Sequence, residues 1–99
     1  MSEATNYFWT KKQEDGTTRV GLNNVGVDDL GKINFVDVPA VKTQLTEQGP
    51  FISVEAEKAV SDLPSPLEGE IVKINPKLSD GPDALNAGNS DERWIVDVK

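Results

Sequence analysis

The chain contains no cysteine and no histidine. Their absence rules out a cysteine nucleophile, serine–histidine catalysis, thiolate zinc sites and a disulfide-stapled scaffold. A carboxylate-only cation site stays open in principle, but Ser79-Asp80-Gly81-Pro82-Asp83 lacks the alternating oxygens of a calcium loop. Gly21 and Gly26 stand apart with no Lys-Ser/Thr behind them, so no phosphate-cradling loop forms. Hydrophobic residues make up 36%, and no apolar run approaches the roughly 20 residues of a membrane span. The opening Met-Ser-Glu-Ala-Thr-Asn has no basic patch followed by an apolar stretch, so no secretory signal is visible and a cytoplasmic location is expected. A basic stripe is missing too: the formal net charge is −7, with lysines and arginines scattered, which argues against nucleic acid as a partner. No self-contained active site emerges, and a non-enzymatic role is expected.

What is present is a small all-β pattern. Ninety-nine residues make one domain with a modest core, with residues 1–6 expected to form a flexible lead. Tyr7-Phe8-Trp9-Thr10-Lys11-Lys12 reads as an aromatic-rich strand, Glu14-Asp15-Gly16-Thr17 as a turn, and Thr18 to Leu22 as the returning strand. Asn23 or Asn24 is placed to cap a short helix that Gly31 ends. Pro76-Lys77-Leu78 and Pro82-Asp83-Ala84-Leu85-Asn86 read as short helical turns opened by proline.

The rest carries a faint repeat. Gly31-Lys32-Ile33 recurs 38 residues on as Gly69-Glu70-Ile71, and each copy continues as a strand, a polar turn and a closing strand. The closing strands are Phe51 to Glu57 and Trp94 to Lys99; in the second, alternation puts Trp94, Val96 and Val98 on one face, with Trp94 as a core aromatic. Two such units suggest a sandwich with quasi-twofold symmetry, each half covering the other's apolar face.

Lys58 falls at the join between the halves. Ile52, Val54 and Ala56 alternate with Ser53, Glu55 and Glu57, the period of a half-buried strand, and Pro64, Pro66 and Gly69 close the run that follows. This places Lys58 at a hairpin tip, clear of the body of the domain. Among eight lysines, one taken blindly is a solvated charge. Lys58 differs in its tip position, its acidic neighbours and the small Ala59 beside it. From residues alone it is either an amine offered for acylation or one more surface lysine. Glu55, Glu57, Ala59 and Asp62 are the candidate recognition residues of the hairpin. These carboxylates, with Asp28, Asp29 and Glu68, read as solvated groups and not as an acid–base pair.

The stretch Glu55-Ala56-Glu57-Lys58-Ala59-Val60-Ser61-Asp62-Leu63 resembles the lipoyl-lysine hairpin of glycine cleavage system H proteins. The resemblance runs from Tyr7 to Lys99 and includes Val20-Gly21-Leu22, Leu30-Gly31-Lys32-Ile33, Phe35-Val36, Pro39, Ser65-Pro66, Gly69-Glu70, Ile74-Asn75, Leu85-Asn86 and Trp94. It implies a biotinyl/lipoyl-type flattened sandwich of two antiparallel sheets, with lipoate joined covalently to Lys58. It also implies a carrier loaded by a lipoate ligase or lipoyl transferase and serving glycine cleavage-type or other lipoate-dependent enzymes. Glu57, Asp91-Glu92-Arg93 and the stop at Lys99 depart from the usual pattern. In these the chain looks more like shortened bacterial H-like proteins encoded beside a lipoate ligase, a sirtuin-type ADP-ribosyltransferase and a macrodomain protein. That likeness implies the last two as further partners and an acidic residue as ADP-ribose acceptor, though none is singled out. A biotin carrier would have Met-Lys-Met about Lys58, and the sole methionine is Met1. An unmodified interaction module on the same fold is the other alternative.

Overall fold

A computed structural model describes residues 7–99; the expected flexible lead lies outside the described residues. Among the described residues eight strands form two antiparallel sheets. The larger has the order β1 (Phe8–Lys12), β2 (Thr18–Leu22), β8 (Trp94–Val98), β7 (Gly69–Ile74), β4 (Gln44–Leu45). The smaller has β3 (Ile33–Asp37), β5 (Pro50–Ala56), β6 (Val60–Pro64). Inward side chains from both fill the space between: Val20, Leu22, Ile71, Val96 and Val98 from one, Ile33, Ile52, Val54 and Leu63 from the other. Phe8 meets Phe51 edge to face, with ring centres 5.3 Å apart. Burying one face of each sheet against the other is what the alternating pattern requires.

The repeat is visible in this arrangement. β3 pairs with β5 as β7 pairs with β8, and each half reaches across to the other. Ile71 receives main-chain bonds from the first half: its carbonyl accepts from Lys42 N–H at 2.7 Å and its N–H donates to Thr43 at 3.0 Å. At the equivalent Ile33, the Asn86 side chain takes the place of a strand. Its Oδ1 accepts from Ile33 N–H at 2.8 Å and its Nδ2 donates to the Ile33 carbonyl at 3.0 Å. A primary amide carries the same donor and acceptor as a peptide group, so one side chain does the work of a strand residue.

The short helix α1 (Asn24–Leu30) starts where the sequence indicates, with Asn23 Oδ1 accepting from Gly26 N–H at 2.8 Å. The expected proline-led turns are 3-10 turns at Pro76–Asp80 and Asp83–Asn86, the second with Pro82 at its N-cap. A third, Ser90–Arg93, has no counterpart in the sequence reading.

Trp94 is not where alternation places it. Gly21 pairs with Trp94 but Val20 pairs with Val96, so β8 carries an extra residue at this point. The bulge turns both Ile95 and Val96 inward and leaves Trp94 half-buried on the outer face. There the Arg19 guanidinium lies 3.8 Å above its ring while also holding Asp97 through bonds of 2.8 and 3.1 Å. Hydrogen bonding to Asp97 raises the Arg19 pKa above its ordinary value. The tryptophan is a platform for an ion pair, not a core residue.

Candidate functional site

The hairpin tip is made by β5 and β6. Glu55 pairs with Val60, and Ala56 N–H donates to the Ala59 carbonyl at 2.9 Å, leaving Glu57 and Lys58 at the centre of the turn. Two-residue hairpins favour glycine or asparagine at positive φ. Neither is present, and the non-glycine residues at positive φ among those described are Lys42 and Gln48. Contacts from elsewhere hold the turn instead. Glu57 N–H donates to the Lys32 carbonyl at 2.9 Å and Lys58 N–H to the Leu30 carbonyl at 3.0 Å. Glu57 Oε1 accepts in return from Lys32 N–H at 3.3 Å.

The lysine side chain lies along the end of α1. Its Nζ donates to the Asp28 main-chain carbonyl at 2.8 Å. The last carbonyls of a helix lack intrahelical donors and carry the negative end of its dipole, so an ammonium suits them. Here Val27 is served by Gly31 N–H, Asp28 by Lys58 Nζ and Leu30 by Lys58 N–H. Lys58 is exposed, as expected from sequence, but it rests on the domain and does not stand clear of it.

Gly31 makes this close approach feasible. Its φ of 75° and ψ of −157° lie in a region that essentially only glycine occupies. A Cβ there would come 3.3 Å from Glu57 Cβ, Glu57 Oε1 and Lys58 Cγ. Gly69, its counterpart in the repeat, is likewise pressed against the end of β8, where a Cβ would lie 2.5 Å from the Lys99 carbonyl. Gly31→Ala is therefore expected to lower stability by about 1–3 kcal/mol. It should also displace the lysine stem, which a melt combined with the chemical shift of the Lys58 amide would show.

The other sequence-nominated residues divide. Glu55 is exposed on the outer face of β5, and Glu57 is exposed while bracing the tip. Ala59 is half-buried and packs against the core. Asp62 sits further down β6, opposite Ser53, whose hydroxyl donates to it at 2.6 Å. Asp28 offers its carbonyl and not its carboxylate; Asp29 accepts from the Tyr7 hydroxyl at 2.8 Å. A concavity of about 410 Å³ at the foot of the hairpin, lined by Phe51, Ile52, Asp62 and Pro64 among others, has Asp62 as its one titratable lining group. No acid–base pair converges there.

Sequence reasoning missed Arg93. It is 2% exposed, with Nε donating to the Leu22 carbonyl at 3.0 Å, Nη1 to the Ala87 carbonyl at 2.7 Å and Nη2 to Asn24 Oδ1. Burial pushes its pKa below the ordinary guanidinium value. Its place between two acidic residues and a strand gave no hint of this.

A flattened two-sheet sandwich with quasi-twofold halves and a lysine-bearing hairpin at their join is a biotinyl/lipoyl-type domain. The family model described as Glycine cleavage H-protein matches residues 1–99. Similar curated proteins include the glycine cleavage system H protein of Oceanobacillus iheyensis, 39% identical over 88 residues that span 89% of this chain and 70% of that protein. That of Vibrio atlanticus is 38% identical over 96 residues, covering 97% and 76%. Among solved structures, the glycine cleavage system H protein of Mycobacterium marinum superposes with a TM-score of 0.82 at 29% identity, covering 98% of this chain and 79% of that one. The chain belongs to the glycine cleavage H-protein family, whose members are carriers and not catalysts.

Proposed function

We propose that residues 1–99 act as one lipoyl-carrier domain, with lipoate in amide linkage to Lys58 Nζ. The observation that carries this reading is the placement of Lys58 at an exposed, externally braced hairpin tip within the family's fold. A lysine stem is long and flexible, so an attached arm reaches well past the tip. Acylation leaves one hydrogen on Nζ, enough to keep the bond to the Asp28 carbonyl or to release it when the arm swings. When bound, the lipoyl disulfide supplies the group and electron transfer chemistry. The protein's own residues position the attachment atom: Leu30 and Lys32 fix the tip, and Glu55, Glu57, Ala59 and Asp62 shape what a loading enzyme meets.

In this reading the protein works in the cytoplasm. Among the described residues no helix is long and apolar enough to cross a membrane. A lipoate ligase or lipoyl transferase loads the arm, and glycine cleavage-type or other lipoate-dependent enzymes use it. Following the shortened-group likeness, a sirtuin-type ADP-ribosyltransferase and a macrodomain protein complete the partners, acting on an acidic side chain of the carrier.

Lipoylation replaces an ammonium with a neutral amide, taking the formal charge from −7 to −8. After incubation with a lipoate ligase, lipoate and ATP, the product is expected to migrate as a single, more acidic band on a native gel. Protein that keeps its original mobility and mass through that incubation would contradict the proposal. Biotin on Lys58, found by intact mass of the protein isolated from its native cell, would support the biotin-carrier reading.

A further inference from the structure

Phe35, Glu55 and Val60 stand in one cross-strand row of the smaller sheet, because Phe35 pairs with Glu55 and Glu55 with Val60. The next row is Asp37, Ser53 and Asp62. Alternation sends Val36, Val54 and Leu63 to the core side, so these two rows form the solvent face behind the hairpin tip. Phe35 is 52% exposed and Val60 79%. Isolated exposed hydrophobics carry no message. Among the described residues, however, five large hydrophobics are exposed, and two of the five flank one glutamate beside the tip. The two rows hold carboxylates at Asp37, Glu55 and Asp62 and no basic side chain.

The topology leaves this side open. Leu30 and Lys32 brace the flank of the tip nearest β3. On the other flank β6 is the edge of its sheet, with no strand beyond it among the described residues. A protein that takes Lys58 into an active site must cover the surface around it, and Val60 is only two residues away.

Resting on the reading of Lys58 as acyl acceptor, we propose that the Phe35–Glu55–Val60 strip is the docking surface for the enzyme that acylates Lys58. The complementary surface on that enzyme is an apolar patch ringed by lysine or arginine at the mouth of its lysine channel. Charge complementarity argues for this partner: three carboxylates surround the apolar pair on a chain of net charge −7. The apolar residues then supply affinity, and the carboxylates supply steering and orientation. Strand β3, more than twenty positions before the lysine in sequence, becomes part of what the enzyme reads.

The test follows lipoylation of the full chain by a purified lipoate–protein ligase, with lipoate and ATP, across a range of carrier concentrations. Phe35→Ser combined with Val60→Thr, which keeps a β-branched residue on the edge strand, is expected to raise KM for the carrier about tenfold, as loss of interface anchors does. The kcat and the melting temperature should stay near the parent's. Val25→Thr with Val72→Thr, exposed apolar sites off this strip, should leave KM unchanged. If the double variant melts early, Val60→Thr alone gives the same readout with a smaller rise. An unchanged KM with a well-loaded parent overturns the docking surface while leaving Lys58's role standing. A parent that takes no lipoate removes both readings. A parent that sediments as a dimer and a strip variant that sediments as a monomer would assign the face to a second copy, and that too overturns the proposal.

Discussion

Lys58→Arg is expected to abolish lipoylation entirely while leaving the fold intact. Arginine keeps the positive charge, but its guanidinium stays protonated and is no acyl acceptor. The main-chain bond from residue 58 to Leu30 does not depend on the side chain, and an arginine can still donate to the Asp28 carbonyl. An exposed substitution of this kind changes stability by less than about 0.5 kcal/mol. Intact mass after exhaustive incubation with a ligase reads the first expectation, and a thermal melt the second. A residual adduct on the arginine variant would mean that another lysine accepts the arm.

The largest loss of stability is expected from Arg93→Ala. The guanidinium is buried and bonds three acceptors on three separate segments: the end of β2, the start of α1 and the loop after the Asp83–Asn86 turn. Among the described residues its acceptors are two peptide carbonyls and an amide oxygen, with no carboxylate, so the arginine works as a donor hub. Hydrogen bonds to charged groups contribute about 1.5–3 kcal/mol each, and truncation would also orphan buried carbonyls. Some of this is recovered because the cation no longer has to be desolvated. With the cavity left behind, a net cost of about 3–5 kcal/mol is expected, a large share of the roughly 5–15 kcal/mol that holds a domain of this size together. A urea titration checks it. A midpoint equal to the parent's would show that water serves the vacated carbonyls.

Local patterns carried much of this protein. The alternation of Ile52, Val54 and Ala56 against Ser53, Glu55 and Glu57 was readable because a half-buried strand needs it, and the hairpin followed from the strand on either side of Lys58. The Asn23 cap, the proline-led turns and the repeated Gly-charged-Ile motif were legible for the same reason: each is set by residues within a few positions. Features that depend on chain segments far apart were not. The bracing of Glu57 and Lys58 by Leu30 and Lys32 uses main-chain groups, which leave no trace in side-chain identity. The bulge at Ile95 reverses the face of Trp94 through one added residue that an alternating pattern does not reveal. Arg93 has the composition of a surface residue, and only the arrival of Leu22, Ala87 and Asn24 makes it internal. Asn86 was placed correctly in a turn, yet its pairing with Ile33 required the second half of the repeat to be folded against the first.

The placement of Lys58 on the end of α1 also explains why the hairpin and the preceding loop belong to one site. Three hydrogen bonds with the glycine-centred Leu30–Lys32 segment hold Glu57 and the Lys58 main chain, and a fourth holds Lys58 Nζ to the Asp28 carbonyl. Lengthening the Leu30–Lys32 connection would free the tip from these braces while the buried face of β5 and β6 keeps the hairpin register.

The central claim, that Lys58 carries the lipoyl arm, is tested most directly by the intact mass and peptide map of this protein isolated from its native cell. One lipoyl adduct per chain, confined to the peptide containing Lys58, is the expected result. Unmodified protein, or an adduct confined to any other lysine, would contradict it.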